Sequence, residues 1–348
     1  MITLGIDAHK RTHTVVAVDD VGRQVGQRTT TATTTEADLD LVRWAGGLGV
    51  ERVWAVEDCR HLSRRLEADL LAAGERIVRV PPKLMAMCRT SARTYGKSDP
   101  IDALAVARAA LREPDLPTAQ LDGPARELRL LVDHREDLVG ERTGYINRLR
   151  WHLHELDPTW DPKARSMNAF KHLDAVAARL EGFAGTVARI AADLTRRIRA
   201  LTVDINALER EIADLVTDQA PTLLAVPGVG PLAAAKILGE TADICRFRSK
   251  DAYARHNGTA PNPVWSSNRP DHRLSRTGNR QLNAAIHRIA ITQLRCHHDA
   301  QRYMANRLQR PGATKARAIR ALKRRLSDVV YRALLTDAQR TIPLPAAA

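Results

Sequence analysis

The first eighty residues limit the fold more than any other stretch of the chain. Segments 2–8 (ITLGIDA), 13–19 (HTVVAVD) and roughly 23–30 read as three short strands, the first two rich in Val and Ile and joined by a tight polar turn. Helical spacing follows over 36–48, a buried strand over 52–56 (RVWAV), a helix over 61–73, a strand over 76–80 (RIVRV) and a helix over 99–112. Three hairpin strands followed by alternating helix and strand predict an α/β domain with a mixed sheet, bounded here as 1–115. The threonine-rich tract at 29–35 reads as a strand end and loop.

Beyond that domain the pattern turns helical. A helix from about Pro124 to Leu156 carries Leu128, Leu131, Leu138, Tyr145 and Leu149 at compatible positions and ends at DPTWDP, 157–162. From Leu180 to Leu215 apolar residues recur every 3.5 residues on average, the period of a coiled coil. Two long antiparallel helices of about 50 Å are expected, making 116–218 a spacer and self-association arm. Region 219–340 opens with TLLAVPGVGPLAAAKILGE (222–240), where Gly228 and Gly230 between helical segments suggest a helix-hairpin-helix that holds a phosphate on backbone N–H groups. A basic Gly, Pro and Ser-rich loop is expected at 256–280, then helices at about 281–297 and 315–335. With 348 residues and about 150 per domain, two or three domains are expected.

Charge narrows the partner class. The net charge is +14, and residues 246–332 alone hold 20 Lys or Arg against 4 Asp or Glu. Such a tract neutralises phosphates and makes binding steeply salt dependent. No bulky apolar helix face accompanies it, so nucleic acid is expected as partner and no membrane. Asp7, His9 and Lys10 stand where a signal peptide needs an apolar run, and no apolar stretch reaches spanning length; a cytoplasmic, nucleoid-associated protein is expected. Cys59, Cys88, Cys245 and Cys296 form no CxxC pair and read as reduced, packed thiols.

Within this basic chain four acids stand apart: Asp7 in GIDAHK, Glu57 after WAV, and Asp99 with Asp102 in KSDPIDA. Asp7 and Glu57 lie side by side if their strands are neighbours, and Asp99 and Asp102, three apart, share one helical face. Hard carboxylate oxygens gathered this way suit Mg²⁺ and in-line phosphoryl displacement. Asp58, beside Glu57, is an alternative ligand. The phosphate-contact candidates are Lys236, Gly228, Gly230, Arg269, Arg273, Arg276 and Arg280. Lys315, Arg317, Arg320, Lys323, Arg324 and Arg325 spread charge round one helix, which suits a groove of folded RNA or DNA. His9, His13, His61, His297 and His298 lack metal-ligand spacing and read as surface or phosphate-facing groups. Trp265 reads as an anchor for its loop.

GIDAHK, the glutamate after WAV, KSDPIDA, PGVGP, GTAPNPVWSSN and RLSRTGNRQLN occur in the order found in the DEDD-type transposases of bacterial insertion sequences, and the chain resembles that family from residue 2 to about 335. The resemblance implies a ribonuclease H-like domain similar to Holliday-junction resolvase (RuvC-like), a coiled-coil linker, and a mainly helical transposase domain supplying a serine nucleophile. It implies Asp7, Glu57, Asp99 and Asp102 as Mg²⁺ ligands and Ser267 as nucleophile, with Ser266 the fallback. The partners it implies are target and donor DNA, a structured guide (bridge) RNA, and further copies of the chain in a dimer or tetramer. A serine attacking a DNA phosphate conserves the bond energy for rejoining, and the site is expected to be composite, in cis or in trans. Two departures stand out: Asn268 follows Ser267 where relatives usually have glycine, and Asp58-Cys59-Arg60 follows Glu57 where a glycine is usual.

Other classes make different predictions. A structure-specific endonuclease uses water, cleaves without rejoining, and does not need Ser267. An actin-like ATPase or sugar kinase, whose first phosphate strand GIDAHK also resembles, needs a second glycine-rich hairpin and an adenosine loop, neither of which is found. A non-catalytic nucleic-acid scaffold tolerates Asp7→Asn and Asp102→Asn.

Overall fold

Alternating β-branched and aromatic residues make β1 (Ile2–Ala8), β2 (Thr12–Val18), β4 (Arg52–Glu57) and β5 (Ile77–Val80) almost wholly buried, whereas β3 (Gln24–Thr31) is largely exposed. In the computed structural model, which describes residues 1–31, 34–57, 62–90, 96, 98–113, 116, 118–119, 123–163, 165–266, 269–273 and 278–341, these strands form one sheet. Its order is β3-β2-β1-β4-β5, with β1–β2 and β2–β3 antiparallel and β1–β4 and β4–β5 parallel. The mixed sheet expected from the sequence is present.

Helices cover both faces. Leu4, Ile6, Trp54 and Val56 pack against Leu41 and Ala45 of α1 (Thr35–Gly46) and Leu66 and Leu70 of α2 (Arg64–Ala72). On the other face, Val53, Ala55 and Val78 meet Cys88 of α3 (Pro82–Thr90) and Ala105, Val106 and Ala109 of α4 (Asp99–Arg112), while Val16 and Val18 meet Ala103 and Ala107. Each buried Leu, Ile or Trp contributes about 1.5–3 kcal/mol. The chain divides into two compact units, Met1–Asp122 and Gly123–Ala348, and this sheet with its helices is the first.

The second unit is built on α5 (Pro124–Leu156) and α7 (Thr186–Gln219), 33 and 34 residues long. Arg135 Nε donates to Glu209 at 3.0 Å and buried Arg142 donates to Thr202 at 3.2 Å. One number rises as the other falls, so the helices run antiparallel. The apolar period read over 180–215 is not one helix: α6 (Phe170–Leu180) ends first, and residues 181–185 turn before α7 starts. Hydrophobic periodicity alone does not register that break, because Leu180 and Phe183 join the same core as Leu149, Leu153 and Ile198.

At the other end of the α5–α7 pair, Leu128, Val132, Ile212 and Val216 enter a core shared with the remaining helices. These are α8 (Pro221–Leu224), α9 (Pro231–Thr241), α10 (Lys250–His256), α11 (Arg280–Cys296), α12 (His298–Leu308) and α13 (Lys315–Thr341). The linker and the C-terminal region thus belong to one unit. Asp337 of α13 accepts from the backbone N–H groups of Thr222 and Leu223 at 2.9 and 3.0 Å, capping α8 from 115 residues away. The segment read as a loop at 256–280 contains a two-stranded hairpin, β6 (Asn262–Ser266) with β7 (Arg269–Arg273), in which Ser266 pairs with Arg269.

The expectation of packed thiols holds for Cys88, which is buried, and is corrected for Cys245 and Cys296, which are exposed; Cys59 lies outside the described residues. Among the described residues no helix is long and apolar enough to cross a membrane.

Candidate metal centre and basic region

Strand alternation decides which side chains of β1 and β4 face α4. Leu4, Ile6 and Ala8 belong to the core beneath α1 and α2, so Gly5 and Asp7 face the opposite way. Gly5 is required there: a Cβ at this position would lie 2.1 Å from the Ala103 carbonyl oxygen and 2.4 Å from the Ala107 nitrogen of α4. The missing side chain lets α4 lie directly on β1. On β4, Trp54 and Val56 join the α1–α2 core while Val53 and Ala55 join the other, which turns Glu57 toward the α4 side. Ile6 is paired with Val56 in parallel register, and Asp7 and Glu57 are the next residues of those two strands.

The first turn of α4 brings the remaining acids. Pro100 opens the helix after Ser98, and Asp99 and Asp102 complement the positive end of its dipole. His9 Nε2 stands 3.1 Å from Asp7 Oδ2 and 3.4 Å from Asp99 Oδ1. One ligand atom from each of Asp7, His9 and Asp99 lies within 4.8 Å of the others. Asp102 accepts a hydrogen bond from Arg89 of α3 at 2.9 Å. Burial raises the Asp7 carboxyl above its ordinary range, against the pull of His9, and the negative charges of Asp99 and Asp102 raise it further.

This donor set fits a divalent cation. Its carboxylate oxygens are hard ligands, and a bound cation offsets the mutual repulsion that disfavours ionised Asp7. His9 corrects the reading from spacing. It is exposed, as a surface group is, but its ring also stands as a third potential ligand, set by the turn between β1 and β2. The signal was available in GIDAHK, where His9 follows Asp7 by two residues at a strand end. Gly5 and Arg89 also went unread.

His13 is corrected in the opposite direction: it is buried in β2, and burial, then the neighbouring His9, lowers its pKa to about 4. It does not face phosphate. Asp58 and His61 lie outside the described residues.

In the second unit the hairpin glycines sit against α11. Gly228 has a positive φ of 81°, and a Cβ there would lie 3.3 Å from the Ile289 carbonyl oxygen and 3.2 Å from Gln293 Cγ; Gln293 donates to the Pro227 carbonyl at 2.6 Å. Gly230 is the N-cap of α9, with Pro231 beginning the helix. The helix before this turn, α8, has only four residues.

Lys236 is corrected as a phosphate contact. Its side chain is 3% exposed, and Nζ donates to Asp133 and Glu136 of α5, both at 2.9 Å. Burial alone would lower its pKa, but hydrogen bonds to Glu136 and Asp133 and their charges raise it.

Arg280 begins α11 and is exposed. Arg269 and Arg273 are placed as backbone in β7 and Ser266 in β6, while Ser267 and Arg276 lie outside the described residues. The even spread of charge read along α13 is also corrected. Arg324 pairs with Asp251 and Asp328, and Lys323 is buried.

Residues 4–158 match the DEDD_Tnp_IS110 transposase model and residues 220–305 the model described as Transposase IS116/IS110/IS902 family. The chain is 29% identical to an uncharacterized 44.8 kDa protein of insertion element IS116 from Streptomyces clavuligerus, over 99% of this chain and 97% of that protein. It is also 29% identical to an uncharacterized 42 kDa protein of insertion element IS900 from Mycobacterium paratuberculosis, over 96% and 95% respectively. Two structures of Thermus thermophilus RuvC, one in complex with a Holliday junction substrate, each align with 34% of this chain. They cover 99% and 100% of RuvC at 13% and 14% identity, with a TM-score of 0.28, a likeness too slight to carry an argument. Acids gathered at the end of the central strand of a mixed sheet, and two family models that together span more than half of the sequence, lead to one conclusion: the chain belongs to the IS116/IS110/IS902 family of transposases.

Proposed function

We propose that this protein is an RNA-guided DNA recombinase of an insertion sequence, joining donor to target DNA through a Mg²⁺ site and a serine nucleophile. The observation that carries the reading is the convergence of Asp7 and Asp99, with His9, at the end of β1, in a chain of this transposase family. Asp7, Glu57, Asp99 and Asp102 would hold the cation, in a domain read as ribonuclease H-like over 1–115. Bound there, a divalent cation supplies charge stabilisation to a phosphate and activation to an oxygen nucleophile.

The remaining chemistry belongs to the chain. Arg89 orients the Asp102 carboxylate. The Ser267 oxygen attacks phosphorus, a serine O–P bond forms, the bond to one sugar oxygen breaks, and that oxygen leaves with the proton. A hydroxyl of the partner strand then displaces serine in reverse, so no nucleotide cofactor is consumed. Arg269, Arg273, Arg276 and Arg280 contact phosphates around the serine. The basic tract of 246–332 favours DNA and a structured guide RNA as partners. Self-association through a coiled-coil arm over 116–218 is supported by exposed Trp151, Val203 and Leu130 on α5 and α7.

The test is strand transfer between two duplexes in the presence of Mg²⁺ and co-purified RNA, with the protein–DNA adduct resolved on a denaturing gel. Ser267→Ala should abolish adduct and joining while leaving DNA binding intact. Asp7→Asn should slow both by on the order of 10³-fold, the several kcal/mol of charge stabilisation at stake. Joining by Ser267→Ala would refute the nucleophile, and cleaved but never rejoined product would establish the water-using endonuclease instead.

A further inference from the structure

The second unit holds a buried cation without a carboxylate. Lys323 of α13 is 8% exposed, and among the described residues its hydrogen-bond partner is Asn283 Oδ1 of α11, with no acid at ion-pair distance. An ammonium group carries three donors, and burying one against a single neutral acceptor is unfavourable. Burial accordingly lowers the Lys323 pKa.

The neighbours of Lys323 are cationic or neutral. Arg320 lies one turn earlier on the same face of α13 and has no ion-pair partner among the described residues. His287, one turn beyond Asn283 on α11, is exposed, and its pKa is lowered by burial and then by the charge of Lys323. The cluster thus opens to solvent at His287.

Its position is fixed by backbone contacts. The His256 carbonyl accepts from Asn279 N–H at 2.6 Å, closing the neck of segment 257–278, which carries β6 and β7. Asn283 Nδ2 donates to the Asn257 carbonyl at that neck at 2.9 Å, and Asn257 Nδ2 donates to Ser327 Oγ of α13 at 2.8 Å. Lys323 therefore sits two hydrogen bonds, through Asn283, from the Asn257 carbonyl at the base of the segment that carries β6 and β7.

We propose that Lys323, flanked by Arg320 and His287, is the seat for a DNA backbone phosphate at the foot of the β6–β7 hairpin. A phosphate oxygen completes the unfilled donors of the ammonium with charge-assisted hydrogen bonds and offsets the burial of its charge. The inference rests on the reading of this unit as DNA-acting.

The experiment uses the full chain and a labelled duplex of arbitrary sequence, without Mg²⁺, titrated with NaCl. Lys323→Met should lower the slope of log affinity against log salt by about 1, one phosphate contact, while its thermal midpoint holds or rises. Lys171→Met, on the exposed side of α6, should change neither quantity. An unchanged slope in Lys323→Met overturns the seat, as does a Lys323→Met chain that fails to fold, since the lysine would then be structural. A slope change with duplex RNA and none with DNA overturns the assignment to DNA. A wild-type chain that binds no duplex at all refutes the proposed function together with the seat, so the two failures are distinguishable.

Discussion

The two units handle charge in opposite ways. In the first, carboxylates are pushed toward one another: Asp7 with Asp99 and Asp102 at the end of the sheet, and Asp38 of α1 against Asp69 of α2. In the second, cations are taken inside: Lys236 between two carboxylates, Arg142 against Thr202, and Lys323 against Asn283 alone. Where the chain supplies a counter-charge, as around Lys236, the charge is structural. Where it does not, as at Asp7 and Lys323, the counter-charge proposed above comes from outside, a cation in one unit and an anion in the other.

The comparison breaks most severely if α4 is lifted off β1. Gly5→Val places carbon atoms inside the Ala103 and Ala107 backbone, and the first unit should lose about 3 kcal/mol or more, measured by chemical denaturation. Both the acid cluster and its stability should disappear together.

A subtler probe is pH. Asp38 is fully buried, and burial, then a hydrogen bond with Asp69 and the charge of that neighbour, raises its pKa to about 7, against a weaker pull from Arg65. The folded pKa lies above the unfolded value of 3.8, so the contribution of the neutral acid is present below that value and is lost as pH rises toward 7. Thermal unfolding of the first unit should show a loss of a few kcal/mol over that window, and Asp38→Asn should flatten it.

The smallest expected effect sharpens the contrast between the two buried lysines. Lys236→Met should cost about 1 kcal/mol, because Asp133 and Glu136 are 45% and 34% exposed and regain water. Lys323→Met should cost nothing in stability. Equal losses measured by calorimetry would erase the distinction.

The strands of the first unit were legible because Val, Ile and Trp repeat with strand alternation, and α5 because Pro124 and Asp157 bound its apolar spacing. The β6–β7 hairpin was not legible. Pro263 and Pro270 sit inside its strands and no Asn-Gly or Asp-Gly marks its turn. The acids were readable as residue types in separate motifs, but the approach of Asp7 to Asp99 depends on α4 lying directly on β1 over Gly5, which is a property of the packed sheet. Lys236 misled because a lysine inside AAAKIL looks like a lone charge until α5 is folded against it.

The clasp between Asp337 and the N–H groups of Thr222 and Leu223 has a consequence for biosynthesis. Its donors leave the ribosome long before its acceptor, so residues 123–314 emerge with an uncapped helix start and an uncovered apolar face that α13 closes later. A product of premature termination ahead of α13 is therefore expected to be cleared by proteases rather than to persist.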